Sequence, residues 1–442
     1  MRVILMFLGG SGAKCAEAFL HAGILTGGFG SNVERISVQI LDPDTNTPTQ
    51  KKLAGLPNSY TQLRNQWSTQ SGFFSTELQH WPNLSPHSAV AASSDSKLAT
   101  LLGCDTPVDE DVLRFFLSET QYEKDLRHGL YGWPNLGAAV WNQWLTNSGL
   151  PAEKEIKEAL NQNSAVRVVL IGSIFGGTGA SGIPTLGKRY KEKFGHELGF
   201  EIHGLVLTPY FAPPPKDGNE TIKAEQNPLR AKHVLRLLDP EHSGFQSIHF
   251  LGLPNPVSIP KYEEDQQNNP TSTVERVAAW TLWTKHCNSV ELQPGCHVLG
   301  VENPDGFSLA QFQGGAAFEG AVYQTALTFA FLAFEYGHHW KQKPDPQSQK
   351  SLEDSLGHYG RSLTAWLEGP FSSVLKKGEG LGQLQQWFAL AGEATSEWLT
   401  SFRNLEGNGE GPWDVFVKAH KAKAFHEDVK IAFHQIRSAI TT

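Results

Sequence analysis

Residues 172–184, GSIFGGTGASGIP, decide the predicted fold of this chain. They follow the apolar run 166–171, VRVVLI, which predicts a strand buried on both faces of a parallel sheet. Glycines at four of the seven positions 176–182 allow the backbone to turn sharply and bring several N–H groups close to an anion. A helix behind this loop adds the partial positive charge of its N-terminus. The stretch therefore predicts a strand, a phosphate-binding loop and a helix.

Other apolar runs around this one predict an α/β protein. They alternate with longer helical or polar connections, which is the pattern of a parallel sheet flanked by helices. Besides 166–171, the runs are residues 3–8, 36–41, 202–207 and 248–253. We interpret the polar stretches 42–79 and 213–226 as loops.

The pattern changes near residue 271, where helical periods replace the apolar runs. Ser272 and Glu275 form a capping box before VERVAAWTLWTKH, and later segments are helical in period with few strand candidates. We therefore expect an α/β domain over residues 1–270, and a central helix with a mostly helical C-terminal domain over residues 271–442.

Composition excludes several classes of protein. The 442 residues carry a net charge of −8 without a basic stripe, so we do not expect a nucleic-acid partner. Four scattered cysteines are too few for a disulfide framework and indicate a reducing compartment. The apolar stretches fall short of the roughly 20 residues that a membrane helix needs. The sequence predicts a cytoplasmic protein without membrane insertion.

The first strand also ends in a glycine loop, with Gly9, Gly10 and Gly12. Ligands bind outside the carboxyl ends of parallel strands, so two glycine turns at one edge predict a shared site. A dinucleotide fingerprint that starts at Gly10 has Cys15 in place of its last glycine, and neither loop has the Gly-Lys-Ser/Thr of a P-loop. An NAD(P)-dependent Rossmann-type oxidoreductase that uses Gly10, Gly12 and Asp42 stays open as an alternative.

The segment GGTGASG at 176–182 resembles the glycine-rich signature of the tubulin and FtsZ superfamily of GTPases. Further segments resemble loops of that family in the same order over about the first 255 residues. They are GGSG at 9–12 and ILDPDTNT at 40–47, after the first and second strands; GLYGWPNLGAA at 129–139, for the γ-phosphate; LTPYF at 207–211, for the ribose; and GLPN at 252–255, for the guanine.

The resemblance implies a site for GTP or GDP with Mg²⁺ in residues 1–270. Glycine amides and the hydroxyls of Thr178 and Ser181 would bind phosphates, Asp42 would lie near the nucleotide and its magnesium, and Asn255 would pair with guanine. The implied nucleotide-binding residues are Gly9, Gly10, Ser11, Gly12, Asp42, Gly132, Trp133, Pro134, Asn135, Gly176, Gly177, Thr178, Gly179, Ala180, Ser181, Thr208, Pro209 and Asn255.

In this family a neighbouring subunit completes the hydrolytic pocket with an acidic loop. VENPDGFSL at 301–309 resembles that loop, with Asn303 and Asp305 as the implied catalytic residues and Ser308 in place of the second acid. Asp305 would orient the attacking water. The tetrapeptide NPDG is also the sequence that a type I turn selects, and a plain surface turn is the favoured interpretation of this segment.

Three functional hypotheses follow from these residues. The first is a self-associating GTPase, with the nucleotide at the contact between subunits. The second is a GTP-binding switch or scaffold without hydrolysis or polymerisation, with a dedicated protein partner on the helical C-terminal region. The third is the oxidoreductase. A metal site is not expected, because the spacing of His286, Cys287, Cys296 and His297 matches no usual set of zinc ligands.

Overall fold

The computed structural model describes residues 1–26, 28–29, 33–43, 47–67, 74–83, 97–104, 106–123, 125–126, 130, 132–147, 149–212, 227–239, 243–252, 257–258, 271–287, 291–299 and 390. The predicted loop at 213–226 and the predicted helical region beyond residue 300, apart from residue 390, lie outside the described residues.

Nine strands lie in the described part of the chain. They are β1 (Arg2–Leu8), β2 (Arg35–Leu41), β3 (Glu77–His80), β4 (Val166–Ser173), β5 (Phe200–Leu207), β6 (Phe211–Ala212), β7 (Ser247–Leu251), β8 (Val257–Ser258) and β9 (Gly295–Leu299). Seven form a parallel sheet in the order β3-β2-β1-β4-β5-β7-β9, and β6 pairs with β8. The predicted α/β class with a parallel sheet flanked by helices is confirmed.

The helices of the described chain cover both faces of this sheet. They are α1 (Gly9–Thr26), α2 (Pro48–Leu53), α3 (Leu56–Trp67), α4 (Leu98–Leu102), α5 (Pro107–Phe116), α6 (Glu119–Tyr122), α7 (Pro134–Asn147), α8 (Pro151–Asn161), α9 (Thr178–Phe194), α10 (Asn227–Leu237) and α11 (Thr273–Thr281), which continues as a π-helical turn (Leu282–His286). None of these helices has the length and apolarity needed to cross a membrane.

Alternate residues of the central strands build two separate cores. Phe7 and Ile171 face α1, α3 and α11, while Met6 and Leu170 face α7, α8 and α9. Both faces of β1 and β4 are therefore buried, as their unbroken apolar sequences predict. This packing fixes the ends of the two strands next to each other.

The loop predicted for residues 42–79 is wrong, because α2, α3 and β3 lie there. Thr47 caps α2 by accepting a hydrogen bond from the backbone of Gln50, and Pro48 occupies its first turn. Tyr60 and Leu63 of α3 are buried at helical spacing in the core beside α1. Most residues around these few apolar positions are polar, so the helical period of the apolar residues is weak in the sequence.

The strand β9 lies in the region 271–442, for which the sequence predicts mostly helices. Its five residues alternate between half-buried and exposed, with only Leu299 buried, as is typical of a short edge strand. By contrast, the predicted helix start at Ser272 is confirmed, since Ser272 and Glu275 form the complete capping box of α11.

Several histidines pack together between the sheet and the π-helical turn. The ring centroid of His286 lies 5.6 Å from that of His203 and 5.2 Å from that of His249. Both ring nitrogens of His286 are buried without a hydrogen-bond partner among the described residues. Burial, the two neighbouring imidazoles and the nearby cations Arg167 and Lys285 hold the pKa of His286 well below its usual range. Burial, the Lys285 cation and the imidazoles of His297 and His203 lower the pKa of His249 to about 3.

We expect this cluster to make the protein less stable in mild acid. Between the ordinary imidazole pKa of about 6.5 and the lower pKa of the folded state, the unfolded chain binds more protons, so the free energy of unfolding falls as pH falls. Each such histidine contributes up to about 1.4 kcal/mol per pH unit. His286→Leu should reduce this slope in urea titrations from pH 7 to pH 4.5. Equal slopes for His286→Leu and for the exposed control His196→Leu would contradict the expectation.

Candidate functional site

A crevice is expected where the strand order of the sheet reverses. From β1 the chain continues to β2 and β3 on one side, while β4, β5, β7 and β9 extend to the other side. Ligands of open α/β sheets bind outside the carboxyl ends of the strands at such a point. Leu8, the last residue of β1, is paired in register with Gly172 near the end of β4. The glycine turns after β1 and β4 therefore leave the sheet side by side.

The two glycine loops touch at Gly9 and Thr178. Gly9 has a φ of +72°, a conformation that favours glycine. A Cβ added to Gly9 would lie 3.1 Å from Thr178 Cβ and 3.7 Å from the backbone nitrogen of Gly179. The structure thus brings together the two loops that the sequence places 160 or more residues apart.

Other glycines of these loops allow the helices to pack closely against the strands. A Cβ on Gly12 would lie 2.9 Å from the carbonyl carbon of Phe7 and 3.0 Å from Ile171 O. A Cβ on Gly179 would lie 2.5 Å from Ser173 O. These positions are closed to larger residues because backbone atoms already fill the space.

Gly10 differs from these neighbours. A Cβ on Gly10 would meet no atom within 4 Å, and its φ is not among the positive values. The fold therefore places no steric demand for glycine at this position. Gly10 lies in the first turn of α1, where free backbone N–H groups are available to an anion.

The electrostatics of the crevice favour an anion. Both α1 and α9 begin at this edge of the sheet, and neither has an acidic residue in its first turn. Acidic residues that neutralise the partial positive charge of a helix N-terminus occur in the first turns of α5, α6, α8 and α11, whereas α2, α3, α4, α7 and α10 lack them, as α1 and α9 do. The positive ends of α1 and α9 are left for another negative group.

Leu130, in the segment predicted as a loop at 129–139, packs against the glycine loop after β4, and the part of that segment from Pro134 onward is helical instead. A Cβ on Gly177 would lie 2.5 Å from Leu130 Cβ. Gly132 has a φ of +75°, and the space beside it is filled by the Arg230 guanidinium, with Nη1 2.7 Å from an added Cβ. Pro134 starts α7, and Trp133 packs on Leu130 and its apolar neighbours. Asn135 is exposed, and its Oδ1 accepts a hydrogen bond from Gln121 Nε2 at 3.4 Å.

The hydroxyl groups of the loops are differently placed. Ser181 is buried and donates to Gly177 O at 2.7 Å, so its proton is used inside α9. The Thr178 side chain lies against Gly9, between the two loops. Thr208 donates to Leu251 O at 3.3 Å and is followed by Pro209 at the carboxyl end of β5.

The two remaining residues of the second glycine loop have no hydroxyl group. Ala180 of α9 is buried in the hydrophobic core that contains Met6 and Leu170. A Cβ on Gly176 would lie 3.3 Å from Ser173 Oγ.

A buried polar cluster supports the first glycine loop, and sequence reasoning missed it. The Tyr210 hydroxyl donates to the Glu275 carboxylate and lies 3.3 Å from Ser11 Oγ. Lys14 Nζ is 4.0 Å from the same carboxylate. Burial and the Glu275 charge raise the pKa of Tyr210 well above its usual value, so the hydroxyl stays protonated. The capping box marks Glu275 in the sequence, but no local pattern marks Tyr210.

Asp42 is a second acidic residue, besides Glu275, that the described structure places near the first glycine loop. It is buried directly after β2, the neighbour of β1, and its backbone N–H donates to Asn83 Oδ1 at 3.3 Å. No cluster of three or more His, Cys, Asp or Glu side chains is placed to hold a metal within the described chain. Asn255, Asn303 and Asp305 lie outside the described residues.

Comparisons with known proteins give structural likeness without a sequence relative. No model of a protein family matches the chain, and no curated protein matches it. The structure of CetZ1 from Haloferax volcanii, a GDP-bound monomer, aligns at 11% identity and a TM-score of 0.30, with 67% of this chain and 66% of that chain covered.

Two further solved structures are similar at the same low level. CetZ from Methanosaeta thermophila aligns at 11% identity and a TM-score of 0.27, with 64% of this chain and 53% of that chain covered. Carveol dehydrogenase from Mycobacterium avium in complex with NAD aligns at 10% identity and a TM-score of 0.26, with 68% of this chain and 96% of that chain covered.

Proposed function

We propose that this chain binds a guanine nucleotide, GTP or GDP with Mg²⁺, at the carboxyl ends of β1 and β4. One observation carries the proposal: the two glycine loops touch at Gly9 and Thr178 where the strand order reverses. The open space at Gly10 and two helix N-termini without acidic residues in their first turns fit a polyphosphate.

Individual residues have separate roles in this proposal. The backbone amides of Gly10, Ser11 and Gly177 and the amide and hydroxyl of Thr178 bind phosphate oxygens, and Asp42 holds the magnesium, directly or through water. The preference for guanine comes from the resemblance of Asn255 and its loop to the tubulin and FtsZ family. The membership of that family, and the cytoplasmic location, belong to the same proposal.

Hydrolysis and self-association extend the proposal. A second copy would bring Asn303 and Asp305 to the γ-phosphate, where the Asp305 carboxylate orients a water whose oxygen attacks phosphorus, and GDP and phosphate leave. In the alternative hypothesis, nucleotide binding only switches the affinity for a dedicated partner. GTP-dependent pelleting of wild type and Asp305→Ala separates the two: loss of GTP turnover in Asp305→Ala supports the first, and a wild type without turnover or pelleting supports the second.

An NAD(P)-dependent oxidoreductase is the second candidate because of the strand order. The order 3-2-1-4-5 is that of dinucleotide-binding domains, in which an acid after the second strand binds the ribose. However, the close contact between helix and strand that the last fingerprint glycine normally provides is made here by Gly12, while the buried Cys15 occupies that position. This departure from the dinucleotide fingerprint argues against the second candidate.

The identity of the ligand tests the proposal. Mass spectrometry of the nucleotide carried by the purified protein, followed by calorimetric titration with GTP, ATP and NAD, should show GTP or GDP bound and GTP preferred. Thr178→Ala should weaken GTP binding by about 10- to 100-fold, the value of one hydrogen bond to a charged group. Thr185→Ala is the matched control, because Thr185 lies in the same helix and donates to Ser181 O. Tight binding of NAD but not GTP would overturn the proposal.

A further inference from the structure

The helix α5 presents an apolar face to solvent. Val108, Val112, Phe115 and Phe116 are 70%, 53%, 84% and 71% exposed, and no residue of α5 is buried. Their spacing of i, i+4, i+7 and i+8 places them on one side of the helix. An amphipathic helix usually turns such a face to a core or to a partner, since each exposed side chain of this size forgoes about 1.5 to 3 kcal/mol of burial.

Contacts on other sides hold α5 in this orientation. The Arg114 guanidinium lies 2.7 Å from the Glu119 carboxylate and 3.9 Å from the centre of the Tyr122 ring, which joins α5 to α6. Leu117, directly after α5, packs on the cluster that contains Leu130. The apolar face is therefore held outward by contacts on the opposite side, and it lies on the helical layer next to the glycine loop.

Residues 422–440, which lie outside the described residues, have a sequence that matches this face. Apolar residues recur there at alternating spacings of three and four: Ala422, Phe425, Val429, Ala432, Ile436 and Ala439, with Phe433 and Ile440 beside them. This heptad pattern predicts an amphipathic helix. The chain between residues 299 and 422 is long enough to bring the segment to any side of the domain.

The charges of the two elements are complementary. Asp109 and Asp111 are exposed and flank the apolar face of α5 on its two sides. Lys423, Lys430 and Arg437 recur every seven residues in the C-terminal segment, so in a helix they would form a basic row along one edge of the apolar face, with Asp428 at the other edge. A second copy of α5 would instead place these acids opposite each other. Charge therefore favours the C-terminal segment as the occupant.

We propose that residues 422–440 of the same chain dock as an amphipathic helix on the face formed by Val108, Val112, Phe115 and Phe116. The apolar rows of the two helices pack together, and the basic row faces Asp109 or Asp111. This interaction is independent of whether the crevice binds nucleotide. In this arrangement residues 422–440 would lie on α5, which is joined through Leu117 to the cluster whose Leu130 packs on Gly177.

Hydrogen exchange of the full-length protein tests the proposal. In wild type, the amides of residues 422–440 should be protected, and this protection should not change on dilution. The double variant Val112→Asp with Phe116→Asp should speed their exchange by at least about tenfold, because it places charges in the apolar contact. The reciprocal variant Val429→Asp with Phe433→Asp should speed exchange in α5. Leu198→Asp, at a site that is 98% exposed outside this face, is the matched control and should change neither.

Two results would overturn the proposal. The first is exchange over residues 422–440 that is the same in wild type and in the Val112→Asp, Phe116→Asp variant, whether fast or slow in both. The second is protection that disappears on dilution in step with dissociation of a dimer, which would assign the contact to two copies. Circular dichroism of each variant verifies that the α/β domain remains folded, and the surface position of all substituted α5 residues makes that the expected result.

Discussion

Gly12→Ala should lower the free energy of unfolding by about 3 kcal/mol, a large change for a single added methyl group. The new Cβ would lie 2.9 Å from the carbonyl carbon of Phe7 and 3.0 Å from Ile171 O. Both are backbone atoms of central strands, which cannot move without disturbing the pairing of β1 with β4. Helix α1 would have to move away from the sheet. Urea denaturation followed by circular dichroism measures the loss.

Gly55→Ala is the control for this substitution. A Cβ on Gly55 would have Lys52 O as its nearest neighbour at 3.9 Å, an ordinary contact. Its free energy of unfolding should remain within about 1 kcal/mol of wild type. If Gly12→Ala were as stable as Gly55→Ala, the close packing of α1 on β1 and β4 would be refuted.

Gly10→Ala, two residues earlier, should leave the stability of the fold intact but weaken GTP binding. Its Cβ enters open space in the first turn of α1, so the fold should keep its stability or gain up to about 1 kcal/mol from the better helix propensity of alanine. In the proposed complex that same space holds a phosphate, and a methyl group there would prevent contact with the backbone N–H. GTP affinity should fall by about 10- to 100-fold, the value of one hydrogen bond to a charged group.

The pair Gly10 and Gly12 separates the role of a ligand from the role of packing. Titration calorimetry with GTP on folded Gly10→Ala gives the affinity, and thermal unfolding without nucleotide gives the stability. Gly55→Ala serves again as the control that should bind GTP like wild type. Undiminished GTP affinity in Gly10→Ala would mean that the open space at the end of β1 is not used by the phosphates.

Much of the fold could be predicted because strands that are buried on both faces have continuous apolar sequences. The strands β1, β2, β4, β5 and β7 are apolar runs, since both faces of a central parallel strand are covered. The edge strands β3 and β9 have four and five residues and are partly exposed, so their sequences ELQH and GCHVL carry no such signal. The strand β9 therefore could not be recognised from its own sequence, and the segments that follow it have helical periods.

The site could be predicted only in part. The convergence of the two glycine loops follows from a general property of parallel sheets, and it required only that both strands be recognised. The support of Ser11 by Tyr210 and Glu275 joins residues that are far apart in the chain, and a single sequence contains no record of such contacts. Similarly, the sequence alone gives no reason to assign different roles to Gly10 and Gly12. Only the positions of Phe7 and Ile171 show that Gly12 is needed for packing while Gly10 faces open space.

The central claim is that the turns after β1 and β4 hold the phosphates of one nucleotide together. Hydrogen exchange with and without GTP and Mg²⁺ tests it most directly, by following the amides of residues 9–12 and 176–179 in the same sample. The account predicts that GTP slows exchange in both segments at the same half-saturating concentration, and that NAD slows it in neither. Protection of one segment without the other, or protection of both by NAD and not by GTP, would contradict the claim.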